Sequence, residues 1–451
     1  MNFVKVIVAS SIVMSIFGCV STGEVKQINK ITSSGNYAKM AKYAEKKLKG
    51  SFLDKLSEKK NVDLYWVLQA GSARRNLGDY EKSNQWFDDA ENTYKFHNED
   101  SILDQAGDVA VSFLVNDKAT DYKGEVYDGV MINTYKALNY LALGDHAKAR
   151  VEFNRSVDRQ RRAKQVFDAE IKQKEEQLAK KANVLQTLDS DTVKDKFTAE
   201  YSNLDKFKVY PDFVNPYTTY ISGLFYALSN DREKGMNKLK EAYAMTGNEV
   251  IKEDFENYTK GAFDNRAWVL FENGLSATKE EFNIHLPLFL VTDKLKYAGV
   301  SFPRLKINNN ALSSITVKGI KSVNTQKFAD MDAVIATEFK KDLPSIQARS
   351  IASAIAKTIT QAQIEKHSGG VAGLFAAIYQ VATTGSDTRI WSALPKSFQV
   401  ASVQIPKDGK IELNIGGKIK TVDVKGAKNA IIIVRLPTAL SNPVISIARF
   451  K

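Results

Sequence analysis

Cysteine is nearly absent: Cys19 is the only one among 451 residues. A disulfide within the chain is therefore excluded, and a thiolate metal site has no second sulfur to use. Histidine is almost as scarce. His97, His146, His285 and His367 have no second His, and no Cys, at metal-ligand spacing. There is no Gly-rich phosphate loop and no Gly-x-Ser-x-Gly nucleophile elbow. No segment beyond the N-terminal region is long and apolar enough to span a bilayer, which takes roughly 20 helical residues. These absences give no catalytic residue, no metal site and no cofactor to expect. Asp and Glu are plentiful, but they lie mostly on Lys-rich helical faces, where solvation is their ordinary role.

Positive charge is present in excess, at a net +12. Such a balance suits anionic lipid headgroups or other acidic polymers of a cell envelope. Nucleic acid is not an expected partner, because the N-terminus directs the chain to export. Lys5 precedes an apolar stretch, Val6 to Phe17, that ends in Gly18-Cys19. A charged start, a short apolar run and a small residue at the end form the layout of a secretory signal peptide. Ile16-Phe17-Gly18-Cys19 resembles the lipobox of bacterial lipoproteins, with Phe17 larger than the usual residue. The resemblance implies that residues 1–18 are removed and that the Cys19 thiol carries the lipid. Two or more acyl chains give stable anchoring. Val20, where an Asp would signal retention, implies the outer membrane, facing the periplasm. Residues 19–35 read as the lipidated cysteine and a small, polar tether.

Residues 36–261 carry a recurring pattern. Leu77-Gly78-Asp79, Leu143-Gly144-Asp145 and Ser229-Asn230-Asp231 are each followed by a large apolar residue nine positions after the Gly or Asn: Phe87, Phe153 and Leu239. A small residue follows at twelve positions: Ala90, Ser156 and Ala242. Gly or Asn accepts the left-handed conformation that ends a helix, and the Asp caps the next one. Gly71, Ala137 and Gly223 precede the turns by seven residues and allow close helix approach. A shorter echo begins at Gly35-Asn36-Tyr37. The pattern resembles a tetratricopeptide repeat and predicts an α-helical solenoid. The turns are 66 and 86 residues apart, so the array is degenerate. Asn215-Pro216-Tyr217 is a strong helix start. Long charged helices are expected at about 147–206, projecting beyond the array, with a turn at 187–192.

Residues 262–451 read as a separate mixed, mainly antiparallel β domain. Trp268 to Phe271 is an apolar run before Glu272-Asn273-Gly274, and Asn-Gly is a strong hairpin signal. Phe282, Ile284, Leu286, Leu288 and Leu290 alternate as in a half-buried strand. Further strands are expected at 311–317, 398–405, 410–415, 418–424, 430–436 and 444–450, with turns at Lys407-Asp408-Gly409 and Gly416-Gly417. Between them a helical hairpin is expected, with one helix from Pro344 to Lys366 and a second over 371–382.

Asp387-x-Arg389-x-Trp391-x-x-Leu394-Pro395 completes a set with Asn215-Pro216-Tyr217 and Phe271-Glu272-Asn273-Gly274. Together these motifs resemble a family of bacterial lipoproteins with an N-terminal tetratricopeptide-like region and no established biochemical function. Members are often encoded beside small lipoproteins similar to activators of penicillin-binding proteins, which implies a place in cell-envelope assembly. The expectation is a non-catalytic scaffold, anchored through Cys19, that binds an envelope protein. The alternatives are a ligand-binding protein or enzyme with its site at Asp387, Arg389 and Trp391, and a lipoprotein that contacts peptidoglycan. Asp387 and Arg389 can pair to fix a corner beside Trp391, or they can hold an envelope ligand.

Overall fold

A computed structural model describes residues 20–48, 62–95, 120–179, 182–210, 213–286, 298–367 and 385–451. Helices occupy the N-terminal part, and strands begin at Arg266. The helices are α1 (Thr22–Ser33), α2 (Tyr37–Leu48), α3 (Leu64–Asn76), α4 (Tyr80–Lys95), α5 (Val126–Ala142) and α6 (His146–Ala179). They continue as α7 (Ala182–Asp189), α8 (Asp191–Tyr201), α9 (Pro216–Leu228), α10 (Arg232–Thr246) and α11 (Glu249–Thr259).

Three pairs, α3/α4, α5/α6 and α9/α10, share one turn. Gly78, Gly144 and Asn230 have φ of 78°, 78° and 60°. The amide of the following Asp closes the preceding helix by donating to the carbonyl of Arg74 (3.0 Å), Tyr140 (2.9 Å) or Tyr226 (2.9 Å). The same Asp side chains then accept from Lys82, Lys148 and Lys234 amides, capping the next helix. Phe87, Phe153 and Leu239 are fully buried across each pair. A Cβ on Gly71 would lie 2.5 Å from the Phe87 ring, so only glycine permits this approach.

Two expectations for this region are corrected. Residues 20–35 are not a tether: α1 starts three residues after Cys19. Ser21 and Glu24 form a reciprocal capping box. Val25, Ile28 and Ile31 then bury one face, and Gly35 (φ 68°) turns the chain into α2. The charged segment after His146 does not project alone. Phe167 of α6 packs on Phe213 at 4.3 Å. α8 folds back, and Phe197 meets Phe302 edge-on at 5.0 Å. The segment breaks at Ser190, inside the expected turn.

The strands are β1 (Arg266–Asn273), β2 (Thr278–Leu286), β3 (Ala298–Lys306), β4 (Thr316–Lys318), β5 (Ser322–Asn324) and β6 (Gln326–Asp330). After α12 (Met331–His367) come β7 (Ser397–Gln404), β8 (Lys410–Ile415), β9 (Lys418–Asp423), β10 (Asn429–Leu436) and β11 (Val444–Phe450). One sheet has the order β11-β10-β1-β7-β6, with β1 and β10 parallel and its other pairs antiparallel. A second has the order β5-β4-β8-β9, and β2-β3 forms a separate ribbon.

Alternate residues of the five-stranded sheet face different cores. Trp268, Leu270, Phe398, Val400, Ile431 and Ile433 pack with the helices. Val269, Phe271, Ala401, Val403, Ile432 and Val434 pack with Val317, Ile411, Leu413 and Val422 of the second sheet. The central strands are thus covered on both faces. That is why β1 and β10 read as continuous apolar runs rather than alternating ones.

Two further expectations change here. Asn273-Gly274 is not a hairpin between paired strands. Both edges of β1 are taken by β10 and β7, so β2 pairs with β3 instead. The Asn273 side chain acts as a backbone mimic: it donates to the Leu312 carbonyl at 2.7 Å and accepts its amide at 3.0 Å. The helix expected from Pro344 begins earlier, at Met331, and Pro344 lies inside it. Burial of Val334, Ile335 and Phe339 favours that earlier turn over the local cost of one missing amide. Residues 371–382, Leu288, Leu290 and the signal segment lie outside the described residues.

Candidate functional site

The three motif segments converge at the junction between the helical layer and the five-stranded sheet. Trp391 is fully buried. Its indole Nε1 donates to Ser72 Oγ of α3 at 2.7 Å. Its ring lies 5.7 Å from Phe87 and meets Tyr135 edge-on at 5.8 Å. Asp387 and Arg389 form a bidentate pair, Nε to Oδ1 and Nη2 to Oδ2, both at 2.8 Å. Arg389 Nη1 also donates to the Thr120 carbonyl at 2.8 Å. Burial raises the Asp387 carboxyl, but the guanidinium beside it more than offsets this and holds it below the usual carboxylate range. Burial disfavours the Arg389 charge, and Asp387 overcompensates, so the guanidinium is held more firmly protonated than usual.

Glu272, one strand away, is completely buried. It accepts two hydrogen bonds from Arg75 of α3, each 3.0 Å, and one from the Tyr217 hydroxyl at 2.8 Å. The Arg75 guanidinium also lies 4.3 Å from the Tyr135 ring centroid. Tyr217 stacks on Phe398 at 3.8 Å. Asn215 places Tyr217 there by capping α9, with its Oδ1 3.1 Å from the Tyr217 amide. Arg435 closes the motif loop, donating to the carbonyls of Glu272, Gly274 and Ala393. Burial, then the Glu272 charge, pushes the Tyr217 hydroxyl well above its ordinary range. It stays a neutral donor at any physiological pH.

Every charged or polar group named in this cluster is aimed at another part of the same chain. The arrangement can hold two layers in register. Among the described residues of the cluster, no nucleophile lies beside a base. The structure therefore brings Asp387, Arg389 and Trp391 together as a packed corner. Among the described residues an open groove lies elsewhere: of about 450 Å³, it runs between α6 and α10 and is lined by Val157, Arg161, Tyr226 and Lys238. Sequence reasoning missed Ser72 and Arg75. They sit three residues apart, one turn of α3, on a helix that buries every residue except Arg74, polar Gln69 and Asn76 included. A serine and an arginine one turn apart, on the helix that opens with the apolar Leu64–Leu68 run, are the signal that could have found them.

A second buried polar cluster joins α5 to α12. Glu338 accepts from the Val126 and Tyr127 amides, both at 2.9 Å. Burial and the nearby Glu125 and Asp128 charges raise its carboxyl well above the usual range. Burial likewise pushes Asp128 up to about 7, against hydrogen bonds from the Glu125 amide and the Tyr122 hydroxyl. Among the described residues no group of three His, Cys, Asp or Glu side chains could hold a metal ion. No described helix is long and apolar enough to cross a membrane. Cys19 lies outside the described residues. No protein-family profile matches the chain, and no similar curated protein or solved structure was found.

Proposed function

We propose that the chain is a non-catalytic, lipid-anchored protein of the bacterial outer membrane, and that a tetratricopeptide-like array in it holds another envelope protein. The observation that carries the non-catalytic reading is the fate of the motif residues. Glu272, Arg389 and Trp391, the groups best suited to chemistry, all serve the helix–sheet junction. The Gly/Asn-Asp turns shared by three helix pairs, and the close helix approaches at Gly71 and Gly223, support the repeat reading. The inner helices are covered by the sheet, so the partner surface is assigned to the outer helices, at the groove between α6 and α10. The anchor rests on the Gly18-Cys19 motif and the apolar run before it.

A photo-crosslinking residue placed at Arg161 or Lys238 in the native lipoprotein tests the partner surface. The expected result is a discrete adduct from both positions that is absent when the residue is placed at Lys418, on the far sheet. Adducts of equal yield from all three positions, or from none, would reject the scaffold reading. Radiolabelled fatty acid entering the wild type, and not a Cys19→Ser variant, tests the anchor separately.

A further inference from the structure

The stretch immediately after Cys19 is strongly one-sided in charge. Thr22–Leu48 contains six lysines and two carboxylates. Both carboxylates are already engaged: Glu24 pairs with Lys47, and Glu45 accepts two hydrogen bonds from Arg74, at 2.7 and 2.8 Å. Lys26, Lys30, Lys39, Lys42 and Lys46 are all exposed. Their positions on the two helices are not random. The core face of α1 is Val25, Ile28, Ile31 and Thr32, and Lys26 and Lys30 lie opposite it on the helical wheel. The core face of α2 is Tyr37, Met40, Ala41 and Ala44, and Lys39, Lys42 and Lys46 lie opposite that. The hairpin therefore buries one face and presents a lysine face on the other.

Distance supplies the second argument. Only Val20 and Ser21 separate Cys19 from α1, and Val20 is itself buried in the body. Cys19 to Thr22 is three residue steps, which reach at most about 11 Å. An acyl chain on Cys19 would therefore keep the start of α1 close to the headgroups, on the order of one Debye length at physiological salt, which is roughly 8 Å, so its charges are only partly screened from them.

We propose that the outward face of the α1–α2 hairpin, through Lys26, Lys30, Lys39, Lys42 and Lys46, rests on anionic phospholipid headgroups and sets the orientation of the body on the membrane. This deepens the reading of Cys19 as the anchor and rests on it for proximity. The lysines supply an attraction of their own, and one exposed lysine near an anionic surface contributes roughly a fivefold gain in partitioning. Together the acyl chain and the hairpin form two signals at one edge of the molecule, the combination that makes membrane attachment stable.

The test uses the mature-length chain with Cys19→Ser, so that no acyl group contributes. Its sedimentation is measured with vesicles of phosphatidylglycerol and phosphatidylethanolamine, and with vesicles of phosphatidylcholine alone. The expected result is binding to the anionic vesicles only, lost in high salt. Lys39→Gln/Lys42→Gln/Lys46→Gln should lower the partition coefficient on the order of 100-fold. Lys418→Gln/Lys420→Gln/Lys425→Gln removes the same charge from an exposed part of the far sheet and should leave binding within about threefold. Equal losses from the two triple variants, or equal binding to both kinds of vesicle, would overturn the proposal. The mass of Cys19 in the native protein is read independently. An unmodified Cys19 together with hairpin-dependent binding rejects the anchor and keeps the lipid face. An acylated Cys19 without that binding rejects the lipid face and keeps the anchor.

Discussion

The inner and outer helices of the three pairs are built on the same turn but live in different surroundings. α3 buries every residue except Arg74, and α9 every residue except Leu228. α10, an outer helix, buries only Gly235, Leu239 and Ala242. The inner helices have protein on all sides, because the five-stranded sheet covers the face that their outer partners leave open. Their polar side chains are consequently committed to partners: Ser72 to Trp391, Arg75 to Glu272, Thr134 to Thr218, and Lys136 to Asp88, Glu91 and Glu152. Outer pairs such as Arg161–Asp158 stand in solvent. An ion pair thus means register on the inner side and solubility on the outer side.

The sharpest way to break that comparison is to remove one member of an ion pair from each side. Arg75→Met leaves the fully buried Glu272 with only the Tyr217 hydroxyl, and an uncompensated buried charge costs about 3–5 kcal/mol. Arg150→Met removes the partner of Asp231, in a pair whose side chains are 34% and 25% exposed. It should cost no more than about 1 kcal/mol. Urea unfolding checks both. Equal losses would mean that the sheet does not change what a charge pair does. Adding Glu272→Gln to Arg75→Met should recover part of the loss, since the stranded charge is then gone.

Much of the outer side was legible in the chain, and much of the inner side was not. The Gly78, Gly144 and Asn230 turns, with Phe87, Phe153 and Leu239 following at fixed spacing, are local signals that local physics obeys. Strands β8 and β11 lie at their expected residues for the same reason: a tight turn or the alternation of side chains sets each one. The junction depends on partners far apart in the chain; Arg75 and Glu272 are separated by 197 residues. No spacing rule reaches that far. Asn273 carried a true turn preference, but the sheet gave both edges of β1 to other strands. The early helix α1 was misread from composition alone. Its small polar residues suggested a tether, while Ser21 and Glu24 already spelled a capping box.

The acidic cluster of Glu125, Asp128 and Glu338 sharpens the comparison through pH, because burial on the inner side should appear as a titration. Asp128 lies at about 7 in the folded chain, above the roughly 4 of an unfolded Asp. The folded state therefore holds its proton more tightly. Stability contributed by this group is complete below about pH 4 and is lost as pH rises through about 7. Asp128→Asn cannot titrate, so it should gain on the wild type between pH 5 and pH 8, by up to about 4 kcal/mol. Removing the Asp128 charge also relieves Glu338, which shifts the variant in the same direction. Lys279, which pairs with Glu125 at 2.8 Å, is unchanged and limits the effect. Thermal unfolding across that range reads it. A difference that does not vary with pH would mean that the cluster is hydrated rather than buried.

Two glycines, Gly78 in the turn and Gly71 seven residues before it in α3, give the smallest and most local contrast. At Gly78 an added Cβ meets open space, but φ is 78°, so Gly78→Ala costs about 1 kcal/mol through the backbone alone. Gly71 has ordinary helical φ, and alanine would favour the helix by about 1 kcal/mol. Against that gain stands Phe87, whose ring would sit 2.5 Å from the new Cβ. The ring cannot simply swing aside, since Tyr135 and Trp391 hold its far side at 6.2 and 5.7 Å. Overpacking of this kind costs about 1–3 kcal/mol, so the two variants can lose similar stability for opposite reasons. The near-ultraviolet signal separates them: Gly71→Ala displaces Phe87 against Trp391 and alters it, whereas Gly78→Ala leaves the junction and the spectrum unchanged. If both spectra stay the same, the close approach of α3 and α4 does not transmit to the sheet, and the inner side is less tightly packed than its burial implies.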